Sequence, residues 1–275
     1  MKTAVLQMTS GIDPAANARI IVDAMTQAGR GGAAMLFSPE MCGLIDRDRV
    51  RGRASVRTED EDVVLRDVRA AAARLGLWVS IGSLAIAGSR EDGRLVNRSF
   101  IIDATGAIVA RYDKIHLFDV DLPTGESWRE SAAYAPGERA VVAQTRLGAM
   151  GLTICYDIRF PALYGALTGA GATILTVPAA FTVPTGQAHW HLLLRARAVE
   201  AGAFVIGAAQ TGLHEDGRET FGHSLVVDPW GNVLLDMGTE TGLGFCELDL
   251  DDVSRVRARI PAIDHRRAIG PVVAS

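Results

Sequence analysis

Short, predominantly apolar runs recur along this 275-residue chain, and most are followed by a segment with helical periodicity. Ala33-Ala34-Met35-Leu36-Phe37 and Ala172-Thr173-Ile174-Leu175-Thr176-Val177 are examples of such runs. Each reads as a buried strand, and the helices between them must lie outside the sheets. Residues 3–8 form a first strand. Asp13-Pro14 opens an Ala-rich helix that runs to about Gly29, with Ile20, Ile21, Ala24 and Met25 on its inner face. Gly31-Gly32 breaks it, and the next strand stops at Ser38-Pro39-Glu40, where the proline ends regular pairing.

Residues 44–58 are charged and read as an irregular surface loop. A helix is expected over 59–74, a strand over 77–87, and a hairpin over 97–112 that turns at Ala104-Thr105-Gly106. Residues 119–138, with Pro123, Gly125, Pro136 and Gly137, lack periodicity and read as a long functional loop. Strands follow at 141–144 and 150–155, then a helix ending near Gly169, a strand over 172–178, a helix over 187–201 and a strand over 203–209. A second hairpin joins 221–227 to 233–236 through Asp228-Pro229-Trp230-Gly231-Asn232, before a strand at 244–248 and a helix at 251–259. The two hairpins imply mixed sheets. No internal repeat or low-complexity linker appears, so residues 1–275 read as one α/β domain.

Lys and Arg number 28 and Asp and Glu 32, with the signs interspersed, so nothing suggests nucleic acid as a partner. No run approaches a membrane span. The first eight residues are too short for a signal peptide. Cys42, Cys155 and Cys246 are odd in number and far apart, forming neither a disulfide framework nor a CxxC metal site. A reducing, cytoplasmic setting is expected.

Cys155 stands where an apolar strand gives way to a helix, and a helix N-terminus favours negative charge. A thiol there can have a lowered pKa and act as a nucleophile. It can equally be one more buried small apolar side chain. A cysteine nucleophile needs a base, an oxyanion donor and a way to activate water. Glu40, just past the end of a strand, is placed to be a base or to be a solvated loop carboxylate. Lys114 lies in the apolar, aromatic run Tyr112-Asp113-Lys114-Ile115-His116-Leu117-Phe118, as an oxyanion donor or a snorkelling surface lysine. His189 and His191 sit two apart on a helix and point away from one another, so a shared metal is disfavoured.

Three segments together resemble the nitrilase superfamily of carbon–nitrogen hydrolases. They are Phe37-Ser38-Pro39-Glu40, the run from Tyr112 to Asp121, and Gly151-Leu152-Thr153-Ile154-Cys155-Tyr156-Asp157-Ile158-Arg159-Phe160-Pro161. The resemblance covers essentially the whole chain, and Glu, Lys and Cys fall in the family's order. Arg129-Glu130-Ser131 resembles the family's loop with a second glutamate. Pro178-Ala179-Ala180-Phe181, Gly222-His223-Ser224 and His265-Arg266-Arg267 resemble the Nit-type amidase branch, which includes omega-amidases and deaminated glutathione amidases. The segments from Gln210 onward look closer to the second type. Cys42 departs from the aromatic common in that branch and is expected to alter the pocket wall.

The resemblance implies a four-layer α-β-β-α sandwich that forms dimers or higher homo-oligomers, through the helix after Cys155 and the helix holding His189 to Glu200. It implies a thiol hydrolase that cleaves an amide through a Cys155 thioester and releases ammonia and an acid, without metal or cofactor. Glu40 is then the base, Lys114 and the Tyr156 backbone N–H the oxyanion donors, and Glu130 a supporting carboxylate. A carboxylate-bearing small-molecule amide needs a cation, for which Arg159 and Arg129 are candidates. Other chemistries on the scaffold, as a nitrilase or N-carbamoyl hydrolase, and a catalytically silent interaction protein are the competing readings.

Overall fold

A computed structural model, which describes residues 1–121, 125 and 127–274, arranges the apolar runs in two face-to-face sheets. In the first, Lys2–Gln7, Met35–Phe37 and Trp78–Ala87 run parallel at the centre. Gly242–Glu247 pairs antiparallel on one side, and Val96–Ile102 with Ile108–Asp113 on the other. In the second, Gly148–Leu152, Ile174–Thr176 and Phe204–Gly207 are parallel. Val141–Thr145 flanks them at one edge, and Leu225–Val227 with Val233–Asp236 at the other. Both sheets are mixed, as the hairpins imply.

Side-chain alternation along the strands builds the layers. In the first sheet Ala4, Leu6, Leu36, Phe100 and Ile102 pack beneath helices Pro14–Arg30 and Val63–Leu75. Their neighbours Val5, Met35, Phe37 and Ile101 face the other way and join Met150, Leu152 and Ile174 of the second sheet. Helices Pro161–Gly169 and Val183–Ala201 cover that sheet's outer side through Leu163, Leu167, Trp190 and Leu194. The result is the expected four-layer α-β-β-α sandwich.

Several local expectations fail for identifiable reasons. Ile20 is 44% exposed, so the inner face of its helix is set by Ala18, Ile21, Ala24 and Met25. Residues 44–58 are not irregular. Asp48 accepts hydrogen bonds from the N–H groups of Val50 and Arg51 and starts helix Arg49–Ser55, and Arg57–Thr58 adds a short strand. Little of that helix is buried, so hydrophobic periodicity cannot reveal it. The 119–138 loop holds a small hairpin, Asp119–Asp121 with Ser127–Arg129, and a 3-10 turn at Glu130–Ala132. Residues 122–124, Pro123 among them, and 126 lie outside the described residues. The helix expected at 187 begins at Val183, with a proline in its first turn. Residues 221–227 divide into Glu219–Phe221 and Leu225–Val227, because Gly222 and His223 both have positive φ. No helix is long and apolar enough to cross a membrane among the described residues.

Candidate active site

Strands Met35–Phe37, Ile108–Asp113 and Gly148–Leu152 all release their chains toward one end of the sandwich. Glu40, Lys114 and Cys155 follow them. Two glycines allow this. A Cβ on Gly82 would stand 2.1 Å from the Ser38 carbonyl oxygen, so only glycine lets the 38–40 turn pack on that strand. A Cβ on Gly137 would stand 2.0 Å from the Asp113 carbonyl oxygen, and the Gly137 N–H bonds the Lys114 carbonyl.

Glu40 is 4% exposed and Lys114 2%. Lys114 Nζ donates to Glu40 Oε1 at 2.9 Å and to both Glu130 oxygens, at 3.2 and 2.9 Å. Asn97 Nδ2 bridges the same carboxylates at 3.0 and 3.2 Å. The Ala180 N–H holds Glu40 Oε2 at 3.0 Å, and the Phe118 N–H holds Glu130 Oε2 at 2.7 Å. Burial alone would depress the Lys114 pKa. The charges of Glu130 and Glu40 outweigh it and hold the ammonium well above its ordinary value.

Cys155 is 8% exposed and opens a 3-10 turn, Cys155–Arg159; the α-helix starts only at Pro161. The expected lowered thiol pKa does not hold. Burial first, and then the Glu40 charge, push it well above its ordinary value, and Lys114 opposes them only in part. The resting group is a thiol beside a carboxylate. Its backbone φ of +49 is rare for a side-chain-bearing residue and costs about 1–3 kcal/mol. The Cys155 N–H is anchored on the Pro178 carbonyl, and the Tyr156 N–H has no acceptor among the described residues.

Asp157, which sequence reasoning passed over, fixes this turn. Fully buried, it accepts hydrogen bonds from Tyr112 Oη, from His116 N and Nδ1, and from the Ile154 N–H. It thereby ties the Cys155 turn to the segment after Lys114. Asn97 was missed as well; it is followed by Arg98 and Ser99, and nothing in that polar stretch marks it out. Cys42 does not shape the pocket wall. It lies in the core under helix Val63–Leu75, its thiol pushed up to about 12 by burial, and Met41 lines the cleft instead. Arg159 reaches the cleft and meets His189 at 3.3 Å. Arg129 is turned to Asp121, which takes it bidentately at 2.9 and 2.8 Å. His191 pairs with Asp236, away from His189.

The family model described as carbon–nitrogen hydrolase matches residues 2–258. The chain belongs to the carbon–nitrogen hydrolase family. It is 35% identical over 271 residues to a deaminated glutathione amidase of Yersinia enterocolitica, covering 98% of this chain and 94% of that one. The Caenorhabditis elegans NitFhit protein superposes with a TM-score of 0.89 at 36% identity, over 97% of this chain and 65% of that one. An amidase from Nesterenkonia sp. AN1, solved with acrylamide added to its active-site cysteine, superposes with a TM-score of 0.78 at 29% identity over 95% and 98% of the two chains. This carbon–nitrogen hydrolase opens the Glu40, Lys114, Glu130 and Cys155 cluster to a cleft of about 760 Å³. Phe118, Trp128, Tyr134, Tyr156 and Phe181 form much of its wall.

Proposed function

We propose that this hydrolase is an amidase of the deaminated-glutathione type and that Cys155 is its acyl-accepting nucleophile. One observation carries the reading: a thiol, an ammonium and two carboxylates meet in one buried cluster at a cleft. Glu40 takes the thiol proton as Sγ attacks the amide carbonyl carbon. The Lys114 ammonium and the Tyr156 N–H receive the oxyanion, and losing one such donor costs on the order of 10²–10³ in rate. Glu40 then protonates the departing amine. It next takes a proton from the water that hydrolyses the thioester. Glu130 positions the ammonium and does not touch the reacting atoms. The cysteine adduct of the Nesterenkonia amidase supports the same role for Cys155.

The cleft volume sits in the upper part of the usual range for ligand pockets and suits a tripeptide-sized amide. With deaminated glutathione the amide nitrogen carries cysteinylglycine, so that dipeptide leaves, and not the ammonia expected from a primary amide. The assay therefore reads the acid product. Exposed Leu192 and Val199 on helix Val183–Ala201 support a homodimer through that face, and the three free cysteines support a cytoplasmic setting.

The test is release of 2-oxoglutarate from deaminated glutathione and from 2-oxoglutaramate, beside a nitrile and an N-carbamoyl compound, with intact-mass detection of an acyl adduct. The proposal expects acid release from the amides, an adduct on Cys155, and neither in Cys155→Ala. Turnover of the nitrile or carbamoyl compound alone, or of nothing, sinks it.

A further inference from the structure

Of the arginines that line the cleft, most are already engaged. Arg129 holds Asp121, Arg94 holds Asp92, Arg49 and Arg53 bond backbone carbonyls, and Arg159 meets His189. Arg218 and Arg47 differ, because neither guanidinium makes a hydrogen bond among the described residues. Arg218 rises from strand-flanking position 218, between Thr211–Leu213 and Glu219–Phe221. Its guanidinium carbon lies 4.6 Å from the Trp128 ring centroid, and that of Arg47 lies 5.7 Å from the same ring. Among the described residues the nearest carboxylate oxygen, Asp216 Oδ2, stands 3.8 Å from Arg218 Nε, close enough for an ion pair and beyond hydrogen-bond reach. Arg218 Nε, Asp216 Oδ2 and Trp128 Nε1 are all buried without a partner.

Two cations sharing one aromatic platform, with no anion hydrogen-bonded to either among the described residues and only Asp216 at 3.8 Å, form an incomplete arrangement. Burial lowers the Arg218 pKa, Asp216 opposes this, and the neighbouring Arg47 charge adds to it. The Glu40 charge also acts on Arg218, which sets the guanidinium within electrostatic reach of the base. An anionic group on the substrate would relieve the repulsion, and a guanidinium fork matches a carboxylate in two parallel hydrogen bonds. We propose that Arg218, stacked on Trp128 and assisted by Arg47, is the subsite that anchors a carboxylate of the amide substrate. This rests on the amidase reading and names what gives it specificity. The assignment moves that role from Arg159 and Arg129, whose guanidinium groups already have partners.

The test compares 2-oxoglutaramate, which carries a carboxylate, with butanamide, which does not. In Arg218→Gln the ratio of their kcat/KM values falls about 100-fold, as for loss of a desolvated charge-assisted pair, and most of the fall lies in KM. Arg218→Lys keeps the charge, loses the fork and falls in between. A merely structural role lowers both substrates together and leaves the ratio unchanged, which overturns the assignment. So does a ratio lost in Arg159→Gln and kept in Arg218→Gln. Calorimetric titration with glutarate reads the subsite without turnover, and Arg218→Gln weakens binding at least about tenfold. Absent or unchanged glutarate binding overturns the subsite. If no amide is hydrolysed while glutarate binding still depends on Arg218, the proposed reaction falls and the subsite stands.

Discussion

Lys114→Met removes one charge and keeps most of the stem volume. Glu40 and Glu130 are then left facing each other, bridged only by Asn97 Nδ2 and held by single backbone N–H groups. Removing one partner of a buried ionic cluster costs about 3–5 kcal/mol, because the remaining charge is uncompensated. In a chain of this size each kcal/mol moves Tm by about 2–4 °C, so the variant melts roughly 10 °C lower at pH 7. The Lys114 pKa is raised in the folded protein, so its contribution is fully present below the unfolded ammonium value and is lost only as pH climbs through the folded one. Neutral pH therefore reads the whole effect. Adding Glu130→Gln returns part of the lost stability and none of the activity. Calorimetric melts of the wild type, the single and the double variant at pH 7 measure each step. A single variant that melts within about 2 °C of wild type at pH 7, or a double variant no more stable than the single, refutes the reasoning.

Three further outcomes are expected. Glu40→Gln lowers the Cys155 thiol titration midpoint, followed by thiolate absorbance, because the Glu40 charge is among the causes that raise it; for the same reason the wild type loses stability as pH rises past the unfolded thiol value, not as it falls. Gly82→Ala forces a Cβ into the Ser38 and Pro39 carbonyl oxygens, at 2.1 and 2.4 Å, and costs about 1–3 kcal/mol in a urea melt, with a loss of kcat from displacement of Glu40. Tyr112→Phe removes a 2.7 Å hydrogen bond to buried Asp157 and costs about 1–3 kcal/mol, since the hydrogen bond goes to a charged group.

Glu40, Lys114 and Cys155 each stand at a strand end, which alone left a solvated, snorkelling or packing role open to them; their order within three segments that resemble one family is what singled them out. Their partners were not. Asn97 sits 57 positions from Glu40 in a strand where its side chain passes for an edge residue. Asp157 sits 45 positions from Tyr112, and beside Arg159 it reads as an ordinary turn carboxylate. Arg218 lies in a polar hairpin, His214-Glu215-Asp216-Gly217-Arg218-Glu219, that looks solvated in one dimension and closes over a cleft in three. The layering was legible for a related reason: burial on both faces writes a continuous apolar run. Helix Arg49–Ser55, mostly exposed, leaves no such record. The thiol pKa failed because proximity to a helix start is local, whereas burial in the packed site, reinforced by the Glu40 charge from the other sheet, overrides it.

Strand Lys2–Gln7 pairs along its whole length with Gly242–Glu247, and the N-terminal ammonium donates to the Leu248 carbonyl. This strand is thus completed by one made far later in the chain. At about 5–20 residues per second, its hydrogen-bonding edge stays unpaired for roughly ten seconds or more of synthesis. Such an edge is a template for another chain. The vulnerable interval in this protein's life is its translation, and slow codons late in the message would lengthen it.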